Sequence, residues 1–209
     1  MAQRANFLFV ITQQHITGLI LAGGRGMRMG GVDKGLQTLQ GKPMIAHVIQ
    51  RLQPQVDRIM INANQNHERY REFQLPVWSD QENNFAGPLA GMQAGLIHCD
   101  TAYMLTAPCD TPFLPTDLVA QLVTALENSQ ADIAVVNTKE NNLVQRQPVF
   151  CLMKKTVLTN LTTALERGVR KVDQWLAENK LVDVVFDDEA AFANINTLEE
   201  LKRSESHAL

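Results

Sequence analysis

Four segments of this 209-residue chain are apolar almost without interruption: HITGLILA, DRIMINAN, TAYMLTAPCD and ADIAVVNT. A strand with one face in water alternates polar and apolar residues, whereas a strand covered on both faces does not. Between these runs lie segments with a helical period. MIAHVIQRL puts Ile45, Val48, Ile49 and Leu52 on one helical face, with Pro43 expected in the first turn. GPLAGMQAGLIHC and PTDLVAQLVTALEN read as further helices, the second with Thr116 or Asp117 as N-cap. HERYREF reads as a short polar helix and LPVWSD as a short strand. Alternation of this kind requires an α/β fold: a mostly parallel sheet with helices on both faces, three layers in all.

The pattern loosens after Thr138. QPVFCLMKK reads as a strand that can run antiparallel, and TVLTNLTTALERG and VRKVDQWLAEN read as helices. LVDVVFDD is a late strand, and FANINTLEELKR turns into a C-terminal helix with Thr197 and Glu200 as a capping box. With no repeat and no Pro/Ser-rich linker, residues 15–209 read as a single domain. Residues 1–14 read as an N-terminal extension, in part disordered.

Charge narrows the partners. The net charge of -3 argues against broad nucleic-acid or anionic-membrane binding. No apolar run reaches the ~18 residues of a membrane span, and FLFVI near the start is too short for a signal core. Cys99, Cys109 and Cys151 make an odd set without a C-x-x-C pair, which suits a reducing cytoplasm rather than a disulfide or zinc framework.

Against that acidic background one stretch is basic and rich in glycine: LAGGRGMRMGGVDKG, from Leu21 to Gly35. It follows the first strand, where open α/β sheets bind ligands. Glycines let backbone N–H groups come close to phosphate oxygens, and Arg25, Arg28 and Lys34 supply charge. The stretch is not a P-loop, and Met29 replaces the last glycine of a dinucleotide fingerprint. Its plainer reading is a solvated turn.

Other polar residues fall at the ends of the expected strands. Asp110 closes TAYMLTAPCD between Pro108 and Pro112, and suits magnesium, which takes one or two carboxylates plus substrate phosphates. An Asx-type turn is the competing role. Asp80 can accept from a nucleoside sugar or base, or be a surface charge. Asn62 and Asn64 can read a base edge or shape a turn. The segment from Gly87 to Gly91 can hold an anion at a helix start or serve helix packing. Asn194 and Asn196 alternate around Ile195, so both amides can face one crevice. The strand ends at Gly23-Gly24, Asn62–Asn64, Asp80 and Asp110 are expected to share that crevice. His15, His47, His67, His98 and His207 have no ligand spacing.

These motifs together, in order from about Thr17 to about Lys202, resemble the bacterial molybdenum cofactor guanylyltransferases of the MobA family. GGVDKGL, PCDTPF and the N-x-N-T segment carry the resemblance most specifically; the opening loop alone is shared by many nucleotidyltransferases. The resemblance implies a Rossmann-like nucleotidyltransferase domain over residues 15–209. It implies transfer of GMP from GTP to the terminal phosphate of Mo-molybdopterin, with release of pyrophosphate, in the presence of Mg2+. On it, Leu21, Ala22, Gly23, Lys34, Asn62, Asp80 and Asp110 match GTP-binding positions, and Asp110 is also the metal ligand. Arg28, Lys34 and Asp110 carry the catalysis. Gly87, Gly91, Asn194 and Asn196 match positions on the pterin and phosphate side. It also implies transient contacts with cofactor biosynthesis and delivery proteins, and no nucleic acid or membrane. The loop by itself also fits a nucleotidyltransferase using CTP or a sugar phosphate, or a non-catalytic nucleotide-binding adaptor.

Overall fold

A computed structural model describes residues 10–22, 33–81, 87–140, 143–195 and 200. The strands are β1 (Ile16–Leu21), β2 (Thr38–Leu39), β3 (Lys42–Pro43), β4 (Arg58–Asn62), β5 (Val77–Trp78), β6 (Tyr103–Pro108), β7 (Ile133–Glu140), β8 (Leu143–Lys154) and β9 (Leu181–Phe186). The helices are α1 (Met44–Leu52), α2 (His67–Arg71), α3 (Pro88–His98), α4 (Leu118–Glu127), α5 (Leu158–Glu166) and α6 (Val172–Leu176). Seven strands form one sheet in the order β5-β4-β1-β6-β8-β7-β9. The β5/β4, β4/β1, β1/β6 and β7/β9 pairs are parallel; β8 runs antiparallel to both β6 and β7. The antiparallel strand is the one expected from QPVFCLMKK.

Both faces of the sheet are covered at β1, β4, β6 and the first half of β7, which is why those segments are apolar throughout. Ile20, Ile61, Leu105 and Ala134 point to one side and pack with Ile45, Val48 and Leu52 of α1 and Leu118 and Leu122 of α4. The neighbouring Leu19, Met60, Met104 and Ile133 point to the other side, against Leu89, Met92 and Leu96 of α3 and Leu161 of α5. Each such side chain removed from water contributes about 1.5–3 kcal/mol. Trp175 of α6 is wholly buried on that second side, and its indole N–H donates to Asn160 Oδ1 at 2.7 Å.

Local details depart from the sequence reading. Pro43 stands at the N-cap with ψ 142°, just before α1 rather than inside its first turn. Asp117 occupies the N-cap of α4 without capping it with its side chain. Its carboxylate accepts from Gln121 Nε2 at 2.8 Å, while the N–H of Val119 donates to Gln55 Oε1 at 3.0 Å. A tertiary partner thus satisfies a free helix N–H that local sequence assigns to a cap. The helix expected over VRKVDQWLAEN is confined to Val172–Leu176. Of the N-terminal segment, residues 10–14 are described: Ile11 is buried in the core and its N–H donates to Glu127 Oε1 at 2.7 Å. Thr197, and with it the C-terminal capping box, lies outside the described residues.

The connections set the crevice. From β1 the chain moves outward to β4 and β5, then returns to add β6 on the other side of β1. The sheet therefore has a switch point between β1 and β6, where open α/β sheets bind ligands beyond the carboxyl ends. The strand ends are level there, since Leu21 pairs with both Asn62 and Pro108, and Asn62 with Trp78.

Candidate active site

The backbone continues the register of the strands into the site. The N–H of Ala22 donates to Asn62 O at 2.8 Å, and the N–H of Cys109 donates to Leu21 O at 3.1 Å. Residues leaving β1, β4 and β6 are thereby held side by side. Of the four expected strand ends, Asn62–Asn64, Asp80 and Asp110 fall at this edge of the sheet, beside Leu21-Ala22. Gly23 and Arg28 lie outside the described residues, as does Asn196.

Asp80, just beyond β5, is not a free surface charge. Asn62 Nδ2 donates to Asp80 Oδ1 at 3.0 Å and Asn64 Nδ2 to Oδ2 at 2.8 Å. Asn64 Oδ1 in turn accepts the N–H of Asp80 at 2.9 Å. The two amides orient the carboxylate, each of whose oxygens can accept a further bond. This arrangement suits capture of paired donors such as sugar hydroxyls or a base edge.

Gly91 shows why the GPLAG segment carries its second glycine. A Cβ on Gly91 would stand 2.4 Å from Asn62 Oδ1 and 2.7 Å from Leu21 Cδ2. The first turn of α3 thus presses directly on the amide that orients Asp80. Gly87 precedes that turn as its N-cap with φ 74°, a left-handed conformation. The packing reading of GPLAG holds at Gly91. Gly91→Ala is expected to cost about 2 kcal/mol by overpacking, which thermal unfolding of the purified variant checks.

Across the switch point, Lys34 Nζ meets Asp110 Oδ2 at 3.2 Å. The carboxylate is 11% exposed and the lysine 23%, so the pair lies at the crevice wall rather than in bulk water. Among the described residues no hydrogen bond engages Asp110 Oδ1. The Asp110 backbone carbonyl accepts the N–H of Ile195 at 2.9 Å, and Thr111 Oγ1 donates to Asn194 Oδ1 at 2.7 Å. The late FANIN segment is in this way tied to the end of β6 through Ile195 and Asn194.

The sequence reading missed Asp33, Asn66, Tyr70 and Thr111. Tyr70, wholly buried on α2, donates its hydroxyl to Asp33 Oδ1 at 2.5 Å, and Asn66 Nδ2 donates to Asp33 Oδ2 at 2.9 Å. The available signal was a lone tyrosine within the polar run HERYR, and an acid next to the lysine of VDKG. Burial pushes the Tyr70 phenol well above its usual range, with Cys109 and the bond to Asp33 acting the same way. It stays protonated and donating at any working pH. Burial also pushes the Cys109 thiol up, helped by the Asp110 and Asp33 charges, and the side chain packs in the core. Among the described residues no group of His, Cys, Asp and Glu forms a ready metal cage.

Residues 18–182 match the family described as the MobA-like NTP transferase domain. A protein named molybdenum cofactor guanylyltransferase from Cupriavidus necator is 56% identical over 198 residues, covering 94% of this chain and 100% of its own. One of the same name from Ralstonia nicotianae is 56% identical, covering 93% and 98%. Among solved structures, the molybdopterin-guanine dinucleotide biosynthesis protein A of Archaeoglobus fulgidus superposes with a TM-score of 0.74 at 23% identity, over 92% of this chain and 98% of its own. The 4-diphosphocytidyl-2C-methyl-D-erythritol synthase of Anaerococcus prevotii gives a TM-score of 0.74 at 14% identity, over 94% and 99%. At such identities the two structures speak for the fold alone.

Proposed function

The chain belongs to the MobA-like NTP transferase family, and on that premise we propose that it transfers GMP from GTP to the terminal phosphate of Mo-molybdopterin. The observation that carries the reading is a juxtaposition in one crevice. The Lys34–Asp110 pair stands on one side of β1 and the Asn62–Asp80–Asn64 cluster on the other.

In the proposed reaction a phosphate oxygen of the pterin attacks the α-phosphorus of GTP. A bond forms from that oxygen to phosphorus, the bond to the β-phosphate oxygen breaks, and pyrophosphate leaves. The nucleophile is already anionic, so no strong general base is needed. Positioning and charge neutralisation supply most of the acceleration. Asp80, oriented by its two amides, is suited to the nucleoside. Lys34 is suited to the triphosphate, where charge grows on the departing pyrophosphate, and Arg28 is assigned the same task. Asn194 and Asn196, with Gly87 and Gly91, are assigned to the acceptor side.

Asp110 fits a magnesium ion in the mode that this ion prefers, one carboxylate completed by substrate phosphates. Its Oδ1 has no hydrogen-bond partner among the described residues, while Lys34 fixes Oδ2. Magnesium, when bound, supplies positive charge to the phosphate oxygens.

Three buried free thiols fit a reducing cytoplasm, and no described helix is long and apolar enough to cross a membrane. Transient contacts with proteins that supply molybdopterin and receive the product complete the proposal. Turnover with GTP and CTP, at matched concentrations and with the same acceptor, tests the nucleotide. GTP is expected to be preferred by at least about tenfold in kcat/KM; preference for CTP refutes the guanylyl assignment.

A further inference from the structure

Lys34 gains its place from its neighbour. The residue before it, Asp33, belongs to the same glycine-rich stretch. Its carboxylate accepts from Tyr70 at 2.5 Å and from Asn66 at 2.9 Å, so both oxygens are held by the segment between β4 and β5. Its backbone carbonyl accepts the N–H of Leu36 at 3.2 Å and Gln37 Nε2 at 3.3 Å. Asp33 is thus fixed through side chain and main chain alike. Lys34, one residue on, reaches Asp110.

The donors are built for the purpose. Tyr70 has no exposure to water, and a buried phenol needs a partner for its hydroxyl. The partner it has is an anion, the stronger kind of acceptor. Asn66 holds a left-handed backbone with φ 52° at the start of α2, a conformation asparagine adopts more readily than most residues other than glycine.

We infer that Tyr70, with Asn66, is a positioning residue: it latches Asp33 and thereby sets the Lys34 ammonium at Asp110. The latch joins the two halves of the crevice. Asn62 and Asn64 orient Asp80 from the end of β4, and a few residues on, the same connection fixes the triphosphate lysine. This inference rests on the guanylyltransferase reading for its kinetic consequence but not for its geometry.

Two measurements on Tyr70→Phe, which keeps the ring and loses one oxygen, test it. The first needs no turnover. Amine acetylation of the intact protein by an activated acetate ester is followed by mass spectrometry at Lys34, with Lys154 as internal reference. Lys154 is paired with Asp132 at the far end of β8. The Lys34/Lys154 rate ratio is expected to rise at least about threefold over wild type as the ammonium leaves its partner; an unchanged ratio overturns the latch. The second is a double-mutant cycle. Tyr70→Phe alone is expected to lower kcat about tenfold with the KM for GTP changed less than about threefold, and to add under about twofold in a Lys34→Ala background. Losses that add in full mean a structural role and also overturn it. If wild type releases no pyrophosphate from GTP with any acceptor, the guanylyltransferase reading fails, and the acetylation ratio still decides the latch.

Discussion

Asp110→Ala should purify as a folded protein that has lost guanylyl transfer by about a thousandfold or more in kcat, equivalent to about 4 kcal/mol. The size follows from what the carboxylate is asked to do. Lys34 holds one of its oxygens, among the described residues no hydrogen bond engages the other, and phosphoryl chemistry depends on charge neutralisation rather than on a base. Folding is expected to survive because the main chain there is held independently. The Asp110 carbonyl accepts Ile195 N–H, and Thr111 bonds Asn194. The lost ion pair costs about 1 kcal/mol, since its lysine is 23% exposed and can be hydrated. Circular dichroism and thermal unfolding establish the fold, and single-turnover pyrophosphate release gives the rate. Asp110→Asn should behave alike, because a neutral amide keeps the shape and loses the charge.

The second large effect is expected for Lys34→Ala: a loss of about a hundredfold in kcat/KM, about 2.7 kcal/mol, on the scale of removing a preorganised transition-state donor. The lysine lies on a short turn beside the latch at Asp33 and not in the core, so stability should change by less than about 1 kcal/mol. Lys34→Arg should recover only a minor part. A guanidinium is a rigid fork, longer than an ammonium, and the 3.2 Å approach to Asp110 Oδ2 is set for a point charge. Near-normal activity in both Asp110→Ala and Lys34→Ala would remove the crevice at the β1/β6 switch point as the site of reaction.

The fold was legible because burial on both faces leaves a signature. The continuous apolar runs became β1, β4, β6 and β7, and alternate residues of each separate cleanly onto the two sides of the sheet. Asp110, Asn62 and Asp80 were legible as strand-end polar residues, since a strand that stops in a crevice leaves its last side chains there. What stayed hidden depends on tertiary partners. Gln55 satisfies a helix N–H that local sequence assigns to a cap at Thr116 or Asp117. The contact of Gly91 with Asn62 joins residues far apart in sequence, so GPLAG alone could not decide between packing and ligand. Tyr70 read as part of a short polar helix, because nothing local reveals that its hydroxyl finds Asp33. The role of the Asn64 amide likewise appears only once β5 lies beside β4 and brings Asp80 within reach.

Pyrophosphate release, followed with GTP, magnesium and molybdenum-loaded molybdopterin, tests the central claim most directly, with matched controls that omit the acceptor. Release that requires both substrates, matched mole for mole by a product heavier than the acceptor by one GMP residue, is the predicted result. GTP bound in the crevice with no acceptor-dependent pyrophosphate, or a product lacking the guanylyl group, would contradict it.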